Sequence, residues 1–562
     1  MKSPEPIDCV VLGANEILSE QIERIKTKNS NAQISGLLTF WERDIFALGG
    51  KELNTSDSLN YFLNSHGHQR APEYTICETP NPSVMYLTHF LRKNNISCEF
   101  VNSVRHEKTK LDHLLTRDPL VVAITTTFVV NWETLRDITS DIRQKQSDTH
   151  IVIGGPYIWT MCHFPEKQRR HVMKTIGADM YIFEGQGESA LTEIIFKLKD
   201  HKDMSEVPNL YYRNPLNGGF TYTGKKTEKT SLDKYAVDWS QFDQADIGET
   251  VTIRTSRGCA FRCSFCDYHV RNPGVDIVSL ETLETELMQL REKGVKYISF
   301  IDDTFNLSEN RLTAICRMMI DNKFNFEWNS FFRCCALYKD EIYDLMQESG
   351  CKAVFIGVES TDPTVLKNMN KISIWDYVED AVVQFKKRNI FTTAHLVFGF
   401  PGETEKSALN TIKMICNSDF HLARAQLFLF LPGAPIVKDA EKHALKGDLF
   451  GWQHSTMDYL TASKLCNRFV IDSAEKGPIW STNDMTTFDM GYFRAIGMRY
   501  DQISHYARLT HQIIKEKLLC SSKDYSTSPK YQSAVKKLMN YTKSLTLRPS
   551  KFHFQPHAPK DA

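Results

Sequence analysis

RTSRGCAFRCSFCDYH, residues 254–269, sets Cys259, Cys263 and Cys266 within eight residues. The stretch begins at the end of an apolar, β-branched run, TVTIRT, the first of six such runs. The others are YISFID, EWNSFF, AVFIGVE, TAHLVFGF and AQLFLFLP, and helical patterns such as Leu283, Leu287, Leu290 and Leu312, Ile315, Met319 lie between them. Strands alternating with amphipathic helices predict a parallel sheet, and six β/α units in about 185 residues predict a partial (β/α)6 barrel. Such barrels carry their chemistry beyond the carboxyl ends of the strands. The three cysteines follow the first of those ends.

Three thiols at this spacing admit several chemistries. A structural zinc takes four protein ligands, and the nearest fourth donor is His269, three residues past Cys266. A disulfide would leave one thiol over. A [4Fe–4S] cubane held by three thiolates keeps one iron for another ligand. Arg257 and Arg262 flank the loop and would offset a cluster's negative charge, although loop arginines serve equally as solvated charge.

The rest of the chain bounds the answer. Its 562 residues predict about three domains. Lys and Arg number 68, and so do Asp and Glu, so the chain lacks the basic excess of a nucleic-acid binder. No signal-peptide h-region opens it, and no apolar run is long enough to cross a membrane. Of the 14 cysteines, Cys316, Cys351 and Cys416 lie scattered in apolar segments, as reduced buried thiols do, so a cytoplasmic location is expected.

Residues 1–230 alternate strand-like runs (DCVVLG, CEFVNSV, LVVAITTTF, HIVIGGP, DMYIFEGQGE) with helical stretches. They predict a Rossmann-like α/β domain and a linker. Thr125, Thr126 and Thr127, Gly154 and Gly155, and Gly185 and Gly187 gather after those runs. In an open α/β sheet that is the ligand-binding edge, and singly each glycine pair would read as a tight turn. Polar residues 211–235 predict a hairpin and linker, 231–445 the barrel, and 446–562 a mainly helical, aromatic-rich region with a solvated tail.

CAFRCSFC matches the CxxxCxxC signature of the radical S-adenosylmethionine (SAM) superfamily, with Phe265 before the third cysteine. That resemblance implies a [4Fe–4S] cluster on Cys259, Cys263 and Cys266 whose open iron chelates SAM. It also implies SAM contacts from Phe265, from Asp302 and Asp303 in FIDDTF, and from Glu359 in GVES. The first domain resembles the cobalamin (B12) domain of B12-dependent members, on LVVAITTTF, IVIGGPYI and GADMYIFEGQGESAL. Thr125, Thr126, Thr127, Gly154, Gly155, Gly185 and Gly187 would then face cobalamin. The B12 D-x-H-x-x-G motif is not met: DTHIVI has Ile153 in place of glycine, and His150 enters a strand, so it is not read as a cobalt ligand.

Within that group the chain looks most like the phosphinate P-methylases and the tryptophan C2-methyltransferase, on DCVVLGANE, PNPSVMYLTHFLRKN, DPLVVAITTTFVVN and EGQGE. The resemblance implies methyl transfer from SAM through methylcobalamin to an unactivated carbon or phosphinate phosphorus. The acceptor would be a small-molecule or peptide natural-product precursor, and the electron donor a flavodoxin or ferredoxin. Transfer to an aromatic carbon without a free adenosyl radical is a variant. Two rivals stand beside it: a B12-dependent rearrangement or cyclisation, and a non-catalytic zinc or cobalamin sensor. Methylthiotransferases need a further cysteine triad, whereas Cys9, Cys77 and Cys98 are unclustered in sequence.

Overall fold

The computed structural model describes residues 6–15, 41–65, 79–129, 131–214, 218–482, 487–520 and 524–547. Cys77 and the tail beyond residue 547 lie outside the described residues.

Seven strands form the first sheet: β1 (Cys9–Asn15), β2 (Cys98–Val101), β3 (Val121–Phe128), β4 (His150–Gly154), β5 (Met180–Ile182), β6 (Leu210–Arg213) and β7 (Phe220–Tyr222). Their order is β2-β1-β3-β4-β5-β6-β7. The first five are parallel, and β6 and β7 add the antiparallel hairpin expected near residue 211. Alternation explains the near-continuous apolar runs. Val10, Leu12, Val122 and Ile124 pack on one face and Cys9, Val11, Val121 and Ala123 on the other, so both faces are buried, as parallel sheets require. The second of those faces belongs to the same core as the barrel.

The barrel sheet runs β8 (Thr250–Ile253), β9 (Tyr297–Phe300), β10 (Glu327–Phe332), β11 (Cys351–Glu359), β12 (Phe391–Phe398), β13 (Leu422–Leu427) and β14 (Ile479–Trp480), parallel throughout and in chain order. The first six are the six runs read from the sequence. The seventh is a two-residue addition from the helical region, too short for any periodicity to register. The sheet is an open, partial barrel.

One segment crosses the expected three-part division. Residues 41–65, placed by the sequence in the first domain, pack on the C-terminal helices Tyr500–Leu519 and Pro529–Ser544. Asp44 accepts from Trp480 Nε1 at 3.0 Å, and Tyr506 Oη donates to the Thr55 carbonyl at 3.0 Å. Asn60 accepts from Tyr492 Oη at 3.1 Å. Among the described residues no helix is long and apolar enough to cross a membrane.

Where the first domain meets the barrel, Gly185 lies against the backbone of Arg271, and a Cβ there would fall 2.2 Å from the Arg271 carbonyl oxygen. At Gly154 a Cβ would meet nothing closer than 3.6 Å. Gly185→Ala is therefore expected to destabilise the protein by about 1–3 kcal/mol, and Gly154→Ala to leave stability near wild type. Thermal melts of the two variants check this; equal melting temperatures would contradict the close approach.

Candidate functional site: two cavities on either side of the cysteine loop

The cysteine loop is fastened from several sides. Asp302, fully buried just past β9, accepts from Thr255 N at 2.9 Å, Thr255 Oγ1 at 3.0 Å and Ser256 Oγ at 2.9 Å, and also from the Ser256 backbone N–H. Residues 256–258 pair antiparallel with 275–277. Gly258 has φ +91 and lies so near Gly274 that a Cβ would sit 2.0 Å from its carbonyl oxygen. Farther along, Ser264 N donates to Met369 O, Asn370 Nδ2 to Arg262 O and Ile436 N to Ser264 O, each at 2.8 Å.

One cavity lies at the carboxyl ends of β3, β4 and β5, closed on its far side by the barrel. The first domain contributes Thr125, Thr127, Gly154, Gly155, Gly185 and Gly187, and the barrel contributes Arg254, Arg257, Tyr268 and Arg271. This edge adjoins the point where the strand order reverses between β1 and β3, the usual ligand crevice of an open α/β sheet. His150 stands at the opposite end of β4, as expected. Glu188 and Arg257 form a buried ion pair at 3.2 Å across the two domains. Glu286, also on the wall, accepts from Trp239 Nε1 at 3.2 Å, and burial lifts its carboxyl to about 8.

The second cavity is the barrel mouth. Its wall includes Phe265, Cys266, Asp303, Arg333, Glu359 and Lys371. Of the three cysteines one is on this wall and the other two sit against wall residues. Cys266 lines it, Cys259 Sγ lies 3.8 Å from Thr304 Oγ1 on its wall, and Cys263 Sγ lies 3.6 Å from Arg333 Nη1. Tyr268 N donates to Cys266 Sγ at 3.4 Å. Burial pushes the Cys266 thiol up to about 12, so ligation there has to displace a firmly held proton. Glu359 ends β11 in the left-handed region, with φ +62, and pairs with Lys371 Nζ at 3.0 Å. Burial lifts the Asp303 carboxyl to about 6, against a hydrogen bond from Tyr268 and the nearby Arg254 cation.

The radical SAM superfamily matches this chain over residues 253–415, from the last residue of β8 through five of the six predicted β/α units. Residues 253–415 are a radical SAM domain. Over 354 residues, 61% of this chain and 73% of that protein, the chain is 27% identical to an uncharacterised methyltransferase of Pyrococcus horikoshii. It spans about half the length of other curated methyltransferase relatives. In fold it is similar to the radical SAM methyltransferase TsrM of Kitasatospora setae, solved with cobalamin and a [4Fe–4S] cluster bound. That likeness has a TM-score of 0.53 and 19% identity, over 64% of this chain and 74% of that one. The cobalamin-dependent SAM radical enzyme OxsB, solved with aqua-cobalamin and SAM, superimposes with a TM-score of 0.56 and 14% identity, over 96% of this chain and 79% of that one.

Against this geometry the candidate residues sort cleanly. The three cysteines, Phe265, Asp303 and Glu359 meet at the mouth of the radical SAM domain, and Thr125, Thr127, Gly154, Gly155 and Gly187 at the sheet edge. Three residues have surroundings that differ from the rest of their group. Strand alternation turns Thr126 away from the cavity, where its hydroxyl bridges Gly154 O at 2.9 Å and Tyr157 N at 3.2 Å. Gly185 lines the edge, and its lack of a side chain also accommodates the backbone of Arg271. Asp302 does not line the mouth; it is spent on Thr255 and Ser256. Among the described residues no three His, Cys, Asp or Glu side chains are gathered closely enough to hold a single metal ion. Arg333, Tyr268 and Lys371 were missed, because the position of each, on a loop or, for Tyr268, at the start of the short helix Tyr268–Arg271, follows only from the folded barrel.

Two outcomes test this reading. Asp302→Ala orphans buried donors, each costing about 1–3 kcal/mol, and frees the strand end that carries the loop. It is expected to lower both the melting temperature and the iron bound after reconstitution, with Asp302→Asn milder; full iron content in Asp302→Ala would contradict it. Because the Glu286 carboxyl is raised from its ordinary 4.5 to about 8, the folded state holds the proton longer than the unfolded chain. Its contribution is intact below about pH 4.5 and is lost as pH rises toward 8. Glu286→Gln should therefore match wild type in denaturation at low pH and exceed it above pH 8.

Proposed function

We propose that this chain is a cobalamin-dependent radical SAM methyltransferase acting on an unactivated carbon or phosphinate phosphorus of a natural-product precursor. One observation carries the reading: a single short segment separates the two cavities. Phe265, Cys266 and Asp267 face the barrel mouth, and Tyr268, Arg271 and Asn272 face the sheet edge. Tyr268 is tied to the mouth side as well, its backbone N–H donating to Cys266 Sγ at 3.4 Å. An acceptor positioned at that wall lies within reach of both cavities.

The residues fit the groups this assigns. Three thiols line the mouth or sit against its wall residues and already accept or approach N–H and O–H donors, as cluster sulfurs do. The sheet edge offers the Thr125 and Thr127 hydroxyls and the bare backbone of Gly154 and Gly155 to a broad ligand. Cys259, Cys263 and Cys266 would hold the [4Fe–4S] cluster, and Phe265, Asp303 and Glu359 would border SAM. Thr125, Thr127, Gly154, Gly155 and Gly187 would border cobalamin. When bound, the cluster with SAM supplies one-electron reductive cleavage and cobalamin carries the methyl group.

The protein's part is to hold these groups at fixed separation, to keep the mouth dry and to orient the acceptor. Electrons would come from a small carrier such as a flavodoxin or ferredoxin, and the cytoplasm is the proposed location.

Anaerobically reconstituted protein given a reductant, SAM labelled in its methyl group and candidate precursors should produce labelled product. 5′-Deoxyadenosine formed with no label in any product would instead support the rearrangement reading, and zinc without iron or sulfide would sink both. Cys263→Ala is expected to lose the iron–sulfur absorbance and turnover but to keep cobalamin, since the two groups occupy different cavities. Loss of cobalamin as well would contradict that separation.

A further inference from the structure

Arg333 sits at the end of β10 with its side chain buried in the wall of the barrel mouth, only 8% exposed. Its Nη1 lies 3.6 Å from Cys263 Sγ, and its Cζ sits over the Phe261 ring, 3.5 Å from the ring centroid. Phe261 belongs to the cysteine loop itself, two residues before Cys263. Nη2 donates to Ile372 O at 3.4 Å, while Nε is buried with no partner. The backbone is pinned as well: Asn306 Oδ1 accepts from Arg333 N at 2.9 Å and Asn306 Nδ2 donates to Arg333 O at 2.8 Å. This permanent charge is not neutralised by any carboxylate paired with it among the described residues.

A buried cation without a counter-ion is costly. Its geometry says where the compensating charge belongs: at the sulfur it faces. Resting on the reading that Cys259, Cys263 and Cys266 hold a [4Fe–4S] cluster, we propose that Arg333 is the positioning residue that sets the cluster's reduction potential. It does so by hydrogen-bonding the Cys263 thiolate, with Phe261 holding the guanidinium in place. Three thiolates on a 2+ cubane give a net charge of −1, and one electron from the donor takes it to −2 with no bond made or broken. A fixed cation at van der Waals range favours the more negative state and raises the potential. Arg suits the task better than Lys, because its guanidinium can sit over Phe261 and still bring an N–H to sulfur.

The test is a potentiometric titration of reconstituted protein without SAM, following the reduced-cluster EPR signal, for wild type, Arg333→Gln, Arg333→Lys and Phe261→Leu. Iron and sulfide content of each sample establishes that a cluster is present. A wild type without one would defeat the underlying reading rather than this inference. With clusters present, Arg333→Gln should reduce at least ten-fold less readily at a given potential, a downward shift of about 59 mV or more for one electron. Arg333→Lys should recover most of the loss. Phe261→Leu, which keeps the charge but frees it, should shift in the same direction by less, and it carries the test if Arg333→Gln fails to load its cluster. Unchanged potentials with weakened SAM binding would overturn the proposal and make Arg333 a SAM contact; unchanged values for both would make it a structural residue.

Discussion

The site depends on the buried carboxylate of Asp302. It takes backbone and hydroxyl donors from Thr255 and Ser256 and so ties the end of the first barrel strand to the end of the second. Burial opposes its charge, and those donors are what make the charge tolerable. The consequence is geometric. Both loops that frame the barrel mouth, the cysteine loop and the Asp303–Thr304 turn, start from one fixed point. Arg311 reinforces it by donating to Thr255 O and Val278 O. Without this tie, three cysteines on an irregular segment would have no defined separation, and a cluster needs one.

From that point the loop does two jobs, because it is thin. Its first half borders the barrel mouth and its second half borders the sheet edge. The docking of the two domains is therefore also the construction of the site. That docking rests on contacts of opposite character. The Glu188–Arg257 pair is nearly inaccessible to solvent and expensive to break singly. Gly185 against Arg271 is pure close packing, which tolerates no added atom. The linker joins in: Arg257 Nη1 donates to Thr230 O, Leu232 N to Asp276, and Ser189 N and Ala190 N to Glu228. Burial raises the Glu228 carboxyl to about 7, so this junction carries its own sensitivity to pH.

Periodicity made the scaffold legible. Six barrel runs, five parallel strands and the hairpin after them all appear, because each is a long apolar run bounded by turn residues. The motif made the cysteines legible, and the order of strand ends located Asp303 and Glu359. What was hidden depended on a choice between adjacent residues. Thr126 and Asp302 are chemically equal to Thr125 and Asp303. Only the pleat of β3 and the exit angle of β9 decide that one of each pair faces a cavity and the other braces its wall. Arg333 follows a strand end in sequence like many other residues, and its importance appears only when Phe261 and Cys263 come to lie beside it. The packing of residues 41–65 on the C-terminal helices was hidden for a similar reason, since an apolar face does not reveal which neighbour will cover it.

The barrel mouth shows how such a site balances charge. Glu359 holds a left-handed backbone conformation that a side chain makes costly, by about 1–3 kcal/mol, and its ion pair with Lys371 is one of the contacts that keep it there. His395, deep in the mouth, is driven down to about 3 by burial and by the Arg424 and Lys371 cations, so it is neutral at any working pH. What remains is an acidic pair of strand ends, Asp303 and Glu359, facing two cations, Lys371 and Arg333. Under the proposed function an amino acid-like ligand with one ammonium and one carboxylate would have a partner for each there, and an anionic cluster would have Arg333. The segment that carries Lys371 is itself held to the cysteine loop, by Ser264 Oγ donating to Asn368 O and Asn370 Nδ2 to Arg262 O, so the partner of Glu359 and the cysteines are fixed together.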